Sequence, residues 1–469
     1  MKEEFDVVII GAGQGGALAR MVAKDGCRVA LIEKECVGGS CVNIGCTPTK
    51  TLYYSAQLAH QMRRCREYGI HSVDVKIDWP AARKRKRDLV EEFRGEVLEN
   101  LQGQDNLELI FGEAKFIETK TIEVQLNASG TRTLSAPRIV IATGTRHSLP
   151  PIDGLENVPY LDEASLMDID EIPKHLLVLG GGYIGVELGQ MFSRFGAKVT
   201  IIEPGENLLK REDSDIAQRL QTILGDEGLE IRTNAKAKKA RVVDGEVEFK
   251  LEAENGTQST LRGSHLLVAT GRKPNSDLLD LPKTGIETDD DGFVEANDFL
   301  ETNVPGIFVL GDIKGGPQFT HIAYDDARTL CAYLSENKTA SVAKRLVPYV
   351  VFADPQLGRI GVSEKEAKKK ELKFRVATLE MTETARGLES GQSLGFWKVL
   401  VEDETDRILG AALLSLEGGE IMALLETAMM SNLPYTALRD GIFAHPTLSE
   451  SLNNLFLAMD RERKPGRTT

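Results

Sequence analysis

Cys41 and Cys46 stand five positions apart in Gly38-Gly39-Ser40-Cys41-Val42-Asn43-Ile44-Gly45-Cys46-Thr47-Pro48-Thr49-Lys50. The apolar-periodic stretch Leu52 to Met62 that follows predicts a helix, so the pair lies in or just before its first turn. Backbone N–H groups and the helix dipole there favour thiolate on both sulfurs, the form that reacts. A redox pair is one reading; half of a metal site, or a passive reduced pair, is the other. Zinc sites use tighter Cys-x-x-Cys spacing with a second ligand pair, and no partner motif of that kind occurs, so no metal site is expected. Cys27, Cys36, Cys65 and Cys331 stand singly and read as core or incidental residues.

His445-Pro446-Thr447-Leu448-Ser449-Glu450 brings an imidazole and a carboxylate close together. Glu450 can orient His445 and raise its basicity, making a proton carrier near neutral pH; the competing reading is a capping turn with an ordinary histidine. His60, His71, His147, His175, His265 and His321 are scattered and read as structural. Asp312, closing Gly306-Ile307-Phe308-Val309-Leu310-Gly311-Asp312, is either an acceptor for a polyol chain or a turn aspartate.

The elements that must position these groups repeat. Phe5 to Ile10 is a largely apolar, β-branched run. Gly11-Ala12-Gly13-Gln14-Gly15-Gly16, a helical pattern through Val22 and the strand Arg28 to Ile32 follow, and the strand ends on Glu33. Strand, glycine turn, helix, strand and acid together make the dinucleotide-binding fingerprint. Gly11 permits the tight turn, Gly13 lets backbone approach a pyrophosphate, Gly16 lets helix pack on strand, and Glu33 takes a ribose 2′-hydroxyl. The pattern recurs at Leu176 to Leu179, Gly180-Gly181-Gly182-Tyr183-Ile184-Gly185, a helix through Phe195 and the strand Lys198 to Ile202 ending on Glu203. Two fingerprints mean two nucleotide-binding domains, and the first, just before the cysteines, should carry the cofactor that exchanges electrons with them. Ala142-Thr143-Gly144 and Ala269-Thr270-Gly271 each close a buried strand and should mark crossings between domains.

At 469 residues, with 41% hydrophobic and 27% charged residues, the chain is an ordinary globular protein of two to four domains. A net charge of −14 argues against general nucleic-acid binding. The run Arg83-Lys84-Arg85-Lys86-Arg87 precedes helically spaced apolar residues and predicts a solvated helix face. The N-terminus shows no targeting pattern and no apolar run of membrane length, so a cytoplasmic protein away from membranes is expected. Six cysteines in such a length are not a disulfide scaffold. From about Leu346 strands at 349–352, 374–378, 396–402 and 408–415, then a helix at 420–430, read as an α+β domain with one exposed sheet face and a packed helix pair.

Both fingerprints, Cys41-x4-Cys46 with Pro48 and Lys50, Gly311-Asp312 and the terminal His-Pro-Thr-x-x-Glu together resemble the class I pyridine nucleotide-disulfide oxidoreductases, over essentially the whole chain. The resemblance implies an α/β fold: two Rossmann-like dinucleotide-binding domains, for FAD and NAD, plus a C-terminal α+β dimerisation domain. Its boundaries fall at 1–150 and 273–345 for the FAD domain, 151–272 for the NAD(P) domain and 346–469 for the interface domain. It implies that Cys46 is the charge-transfer thiol and Cys41 the interchange thiol. Lys50 would pair with Glu187 near the flavin, and Tyr183 would gate the nicotinamide pocket. FAD would lie on Gly11, Gly13, Gly16, Glu33, Gly39, Ser40, Lys50, Thr143, Gly144, Asp312 and Gln318; the nicotinamide dinucleotide would lie on Gly180, Gly182, Tyr183, Gly185, Glu203 and Gly271. His445 and Glu450 would act across a homodimer on the partner's disulfide.

Glu203 favours NADH over NADPH, although Lys210 and Arg211 follow it and leave NADP possible. The segments Asn43 to Leu52, Gly316 to Thr320 and Pro434 to Asp440 look most like the mercuric-reductase-like flavoproteins, above all the reactive-chlorine-resistance branch linked to cupric ion reduction. Mercuric reductases of the well-known type carry a C-terminal cysteine pair and replace the dyad histidine; here the tail has no cysteine and His445 is kept. The expected acceptor is therefore a mercuric or cupric ion or a small disulfide, since thiolates suit soft metals. The alternatives are dihydrolipoamide dehydrogenase and, from another class, a redox-sensing flavoprotein subunit without turnover.

Overall fold

The computed structural model describes residues 2–71, 74–335 and 338–461. The tail 462–469, read above for its lack of cysteine, lies outside them. The chain divides into two compact units. The first comprises Met1–Leu52, Pro80–Pro150 and Gly271–Arg345; the second comprises Tyr53–Trp79, Pro151–Thr270 and Leu346–Thr469.

In the first unit an eight-stranded sheet runs in the order Lys2–Glu4, Thr131–Ser135, Thr121–Leu126, Leu107–Glu118, Val29–Glu33, Val7–Ile10, Arg138–Ile141, Ile307–Val309. Val7–Ile10 and Val29–Glu33 pair in parallel and are buried at every position, so up to the terminal Glu33 their side chains are apolar on both faces. The helix Gln14–Lys24 sets Leu18, Ala19, Val22 and Ala23 against one face, and Ala327, Leu330 and Leu334 of the helix Thr320–Ser335 join the same cluster. The basic run lies on the helix Trp79–Gln102. It is not wholly solvated: Lys86 is only 3% exposed, and Arg85 Nη1 donates to Thr51 O at 3.1 Å, because long cationic side chains reach inward to carbonyls.

Among the described residues the second unit holds three sheets. The strands His175–Leu179, Lys198–Ile202, Glu230–Arg232 and His265–Val268 form a parallel sheet around the second glycine turn. An antiparallel sheet of Ala235–Val243, Glu246–Ala253 and Gln258–Gly263 accompanies it. The C-terminal sheet is antiparallel, in the order Tyr349–Val351, Gln356–Gly361, Ile408–Ser415, Phe396–Glu402, Phe374–Glu380.

Gln356–Gly361 is a strand that periodicity does not show, because Gly358 and Gly361 dilute its pattern. A Cβ on Gly358 would stand 2.3 Å from Gly418 O, so the glycine is what lets the helix Gly418–Met430 seat on the sheet. Nor is one face of this sheet exposed, as the alternation suggested: Phe396 to Val401 are buried at every position. The helices Gly418–Met430 and Ser451–Arg461 pack on it. Polar side chains of the sheet are buried through ion pairs: Lys398 with Asp213, Asp215 and Glu364, and Arg359 with Glu212. Pairing makes such burial tolerable.

Candidate active site

Cys41 and Cys46 sit on different elements. Cys41 lies in the one-turn helix Gly39–Asn43, and Cys46 is the first residue of the helix Cys46–Arg64, which starts earlier than its periodicity suggests. Gly38, at φ 91°, starts the short helix. Asn43 locks it, donating to Val37 O at 2.9 Å and Gly39 O at 2.8 Å while accepting from Arg94 Nε at 2.7 Å. The backbone then doubles back: Ile44 and Gly45 N–H both bond Ser40 O. A Cβ on Gly45 would stand 3.0 Å from Ser40 O and 3.5 Å from Cys41 Cα, so a bare residue there is what lets the second sulfur return to the first.

The two sulfurs are not equivalent, which corrects the expectation of thiolate on both. Cys46 is exposed at a helix N-terminus, where the dipole favours negative charge. Cys41 is held well above the ordinary thiol range, first by its hydrogen bond with Cys46, then by burial and by the Cys46 charge. Of the two sulfurs, Cys41 is the one whose ionisation its surroundings oppose. Thr320, which the sequence reading passed over, opens the helix Thr320–Ser335 with its hydroxyl 3.5 Å from Cys46 Sγ, and its hydrogen bond also eases ionisation of Cys41.

Around the first glycine turn the backbone is bare. A Cβ on Gly11 would stand 2.4 Å from Ala142 O, and one on Gly39 would stand 2.7 Å from Gly13 Cα. Gln14–Lys24 begins without a side-chain cap, leaving its N–H groups to an anion. Both oxygens of Glu33 accept backbone N–H groups, Oε2 from Ala12 at 2.8 Å and Oε1 from Glu35 at 2.9 Å. The hydroxyl of Thr143 is buried without a partner. Asp312 is half-buried, with Thr145 Oγ1 at 3.4 Å, and burial raises its pKa. A bare phosphate cradle, an orphaned hydroxyl and an under-bonded carboxylate fit FAD. Gly144, Gln318 and Lys50 are half-buried in this unit and Ser40 is exposed.

The second turn repeats the first. A Cβ on Gly180 would stand 2.6 Å from Ala269 O, as Gly11 does against Ala142, so each Ala-Thr-Gly supplies the carbonyl on which a glycine turn closes. Glu203 Oε2 accepts Gly181 N–H and Oε1 accepts Gly205 N–H, each at 2.8 Å. Gly182 caps the helix Tyr183–Phe195, and Gly185 is buried in its first turn, where a Cβ would stand 2.0 Å from Gly180 O. Tyr183 is 37% exposed, while Glu187 one turn on is buried and accepts Phe352 N–H at 2.8 Å. Gly271 is exposed at the start of the first unit's last segment. Within the second unit, Gly180, Gly182, Gly185 and Glu203 fit a pyridine dinucleotide by the same cradle chemistry.

His445 is exposed, and its Nδ1 stands 2.9 Å from both Glu450 oxygens. With Nδ1 taken by the carboxylate, Nε2 is the ring nitrogen left for another partner. Among the described residues no group of three or more His, Cys, Asp or Glu is arranged to hold a metal ion, and no helix is long and apolar enough to cross a membrane.

Residues 5–327 match the pyridine nucleotide-disulphide oxidoreductase family and residues 347–456 its dimerisation domain. The chain is 37% identical over 458 residues to the probable pyridine nucleotide-disulfide oxidoreductase RclA of Escherichia coli (strain K12), covering 97% of this chain and 99% of that one. A solved Cu(II) complex of that HOCl-induced flavoprotein disulfide reductase superposes with a TM-score of 0.88 at 36% identity, covering 97% of this chain and 99% of the other. Mercuric reductase of Lysinibacillus sphaericus is 32% identical over 466 residues, covering 98% of this chain and 84% of the relative. Dihydrolipoyl dehydrogenase of Geobacillus stearothermophilus is 33% identical over 452 residues, covering 95% and 94%.

Proposed function

The chain belongs to the pyridine nucleotide-disulphide oxidoreductases, enzymes that use FAD and a pyridine nucleotide, and from that premise we propose that its Cys41–Cys46 pair delivers electrons to cupric ion. The observation that carries this reading is the asymmetry of the pair: an exposed Cys46 at a helix start, and a Cys41 that keeps its proton beside it. Two adjacent sulfurs, one of them at a helix start whose dipole favours negative charge, suit a soft metal, because thiolate ligands stabilise Cu(I). The Cu(II) complex of the 36% identical relative supports the same acceptor.

FAD, when bound, supplies the two-electron relay between nicotinamide and the sulfur pair. The protein's own residues do the rest. Gly11 and Gly13 leave backbone bare for the pyrophosphate, Gly16 lets the helix pack on the strand, Gly39 and Ser40 complete the same end, Glu33 shapes the turn and takes a ribose hydroxyl, and Thr143, Gly144, Asp312 and Gln318 hold the remainder. Lys50 and Glu187 act near the reacting ring. Gly180, Gly182, Gly185, Gly271 and Tyr183 receive the nicotinamide dinucleotide. Glu203 places a carboxylate where a 2′-phosphate would be repelled, so NADH is the preferred donor. Cys46 holds the charge next to the ring and Cys41 meets the acceptor. The chain works as a cytoplasmic homodimer in which His445 and Glu450 serve the partner's sulfurs.

A second reading, a small disulfide acceptor such as lipoamide, is favoured by the His445–Glu450 hydrogen bond, since a proton carrier is needed for a leaving thiolate and not for a metal. Anaerobic steady-state turnover with Cu(II), Hg(II) and lipoamide separates the two. NADH oxidation that depends on Cu(II) is expected; robust lipoamide turnover with no metal-dependent oxidation refutes the proposal.

A further inference from the structure

Asp326 lies in the helix Thr320–Ser335 at 0% exposure, and it takes no part in the chemistry proposed above. Groups of the first unit hold its carboxylate. Oδ2 accepts the Gly311 N–H at 2.8 Å and stands 3.2 Å from Lys314 Nζ, while Oδ1 accepts from Arg345 Nη1 at 2.6 Å. Gly311 and Lys314 are the first and last residues of one short 3-10 turn, and Asp312 lies between them. A single buried side chain therefore grips both ends of the turn that presents Asp312.

The local backbone shows why the grip is needed. Leu310 N–H still bonds Ile141 O at 3.1 Å, but Gly311 then turns to a φ of 74° and its N–H leaves the sheet. A buried N–H needs an acceptor, and Asp326 supplies one from 15 positions away. A Cβ on Gly311 would stand 3.2 Å from Ala323 Cβ, so the turn lies against the same helix. A carboxylate so deeply buried needs cations beside it, which Lys314 and Arg345 provide. Burial raises the pKa of Asp312; Arg272, Thr145 and Lys314 oppose the rise and the charge of Asp326 adds to it, so Asp326 reaches Asp312 through space as well as through the turn. The helix that carries Asp326 opens with Thr320, whose hydroxyl faces Cys46 Sγ.

We infer that Asp326 is a positioning residue for the flavin: it fixes the Gly311–Lys314 turn so that Asp312 meets FAD, and it acts on the cofactor through Asp312 alone. The inference rests on the reading of Asp312 as a group that holds FAD. Arg345, outside the turn, balances the charge of Asp326 and serves the fold.

The test dilutes the full-length, flavin-loaded enzyme and follows FAD release by the rise in flavin fluorescence, with urea unfolding measured alongside. Asp326→Ala removes the grip on the turn and should weaken FAD retention roughly tenfold to a hundredfold, as expected for lost hydrogen bonds to a charged group. Asp326→Asn keeps an oxygen for the Gly311 N–H but not the charge for Lys314, and should weaken retention roughly threefold; it carries the test if the alanine variant does not fold. Arg345→Met should lower the urea midpoint and retain FAD as the parent does. Asp312→Ala should weaken retention by itself, and in that background neither Asp326 substitution should weaken it further. Parental FAD retention in the Asp326 variants while Asp312→Ala loses the flavin, losses that add in the double variants, or a loss in Arg345→Met as large as in Asp326→Ala overturns the inference. Parental retention in Asp312→Ala refutes the reading of Asp312 beneath it, and the inference falls with that reading.

Discussion

Replacing Thr320 by valine keeps the side-chain volume and removes a hydroxyl 3.5 Å from Cys46 Sγ. The same hydroxyl favours ionised Cys41. Whichever sulfur carries the charge of the reduced pair, the hydroxyl therefore stabilises it, and the disulfide form has no comparable charge to lose. A hydrogen bond to a charged group contributes about 1.5–3 kcal/mol. Cys46 is exposed, so solvent screening brings this down to roughly 1 kcal/mol. For a two-electron couple, where 30 mV corresponds to about 1.4 kcal/mol, the midpoint potential of the pair should move roughly 20 mV more negative. The assay is anaerobic equilibration of the pair against a dithiol redox buffer for the unsubstituted chain, Thr320→Val and Thr320→Ser. Serine keeps the hydroxyl and should keep the potential. A valine variant whose potential is unmoved or more positive, or a serine variant that shifts as far as valine, refutes the reasoning.

Four further outcomes are expected. Cys46→Ser should abolish the long-wavelength absorbance that appears on adding NADH, whereas Cys41→Ser should keep or enhance it while stopping turnover; identical spectra would show the roles of the two sulfurs to be wrongly divided. Glu450→Gln removes the charge facing His445 Nδ1 and should slow lipoamide turnover by about ten- to a hundredfold, part of the range for general acid–base catalysis, with Cu(II) turnover spared. Glu203→Ala leaves the N–H groups of Gly181 and Gly205 without their acceptor, so KM for NADH should rise while the preference over NADPH narrows, both read from initial rates. Lys398→Met strands Asp213 and Glu364 and should destabilise the protein by about 3–5 kcal/mol in urea unfolding near neutral pH. Although burial opposes it, backbone N–H groups and Lys398 hold Asp213 below the ordinary carboxylate range, and Lys368 and Lys398 do so for Glu364. Their contribution is thus present above the unfolded carboxylate pKa and lost as pH falls through the folded one, so the gap between variant and parent should close on acidification.

How much of the site could be read from the chain depended on whether a residue acts through its own backbone or through a distant partner. The two glycine turns, their acids and the strands before them were legible because tight turns, bare backbone and β-branched burial are local demands. His445 and Glu450 were legible for the same reason, five positions apart and joined by a short hydrogen bond. Thr320 was not: 274 positions separate it from Cys46, and a threonine opening a helix carries no mark of the sulfur it faces. The burial of Lys86 and Lys398 was equally hidden, since a lysine reads as solvated until partners surround it.

What sequence alone determined is the pair of glycine turns with their acids, the cysteine pair at 41 and 46 and a dimerisation segment that follows them, because spacing and residue type dictate those directly. What only tertiary structure decided is how the surroundings of the two sulfurs differ and what stands against them. Residue spacing could put both thiols near a helix start, but the turn at Gly45 places one at the helix end and leaves the other hydrogen-bonded behind it. Charge and proximity depend on three-dimensional neighbours, and those are set by packing.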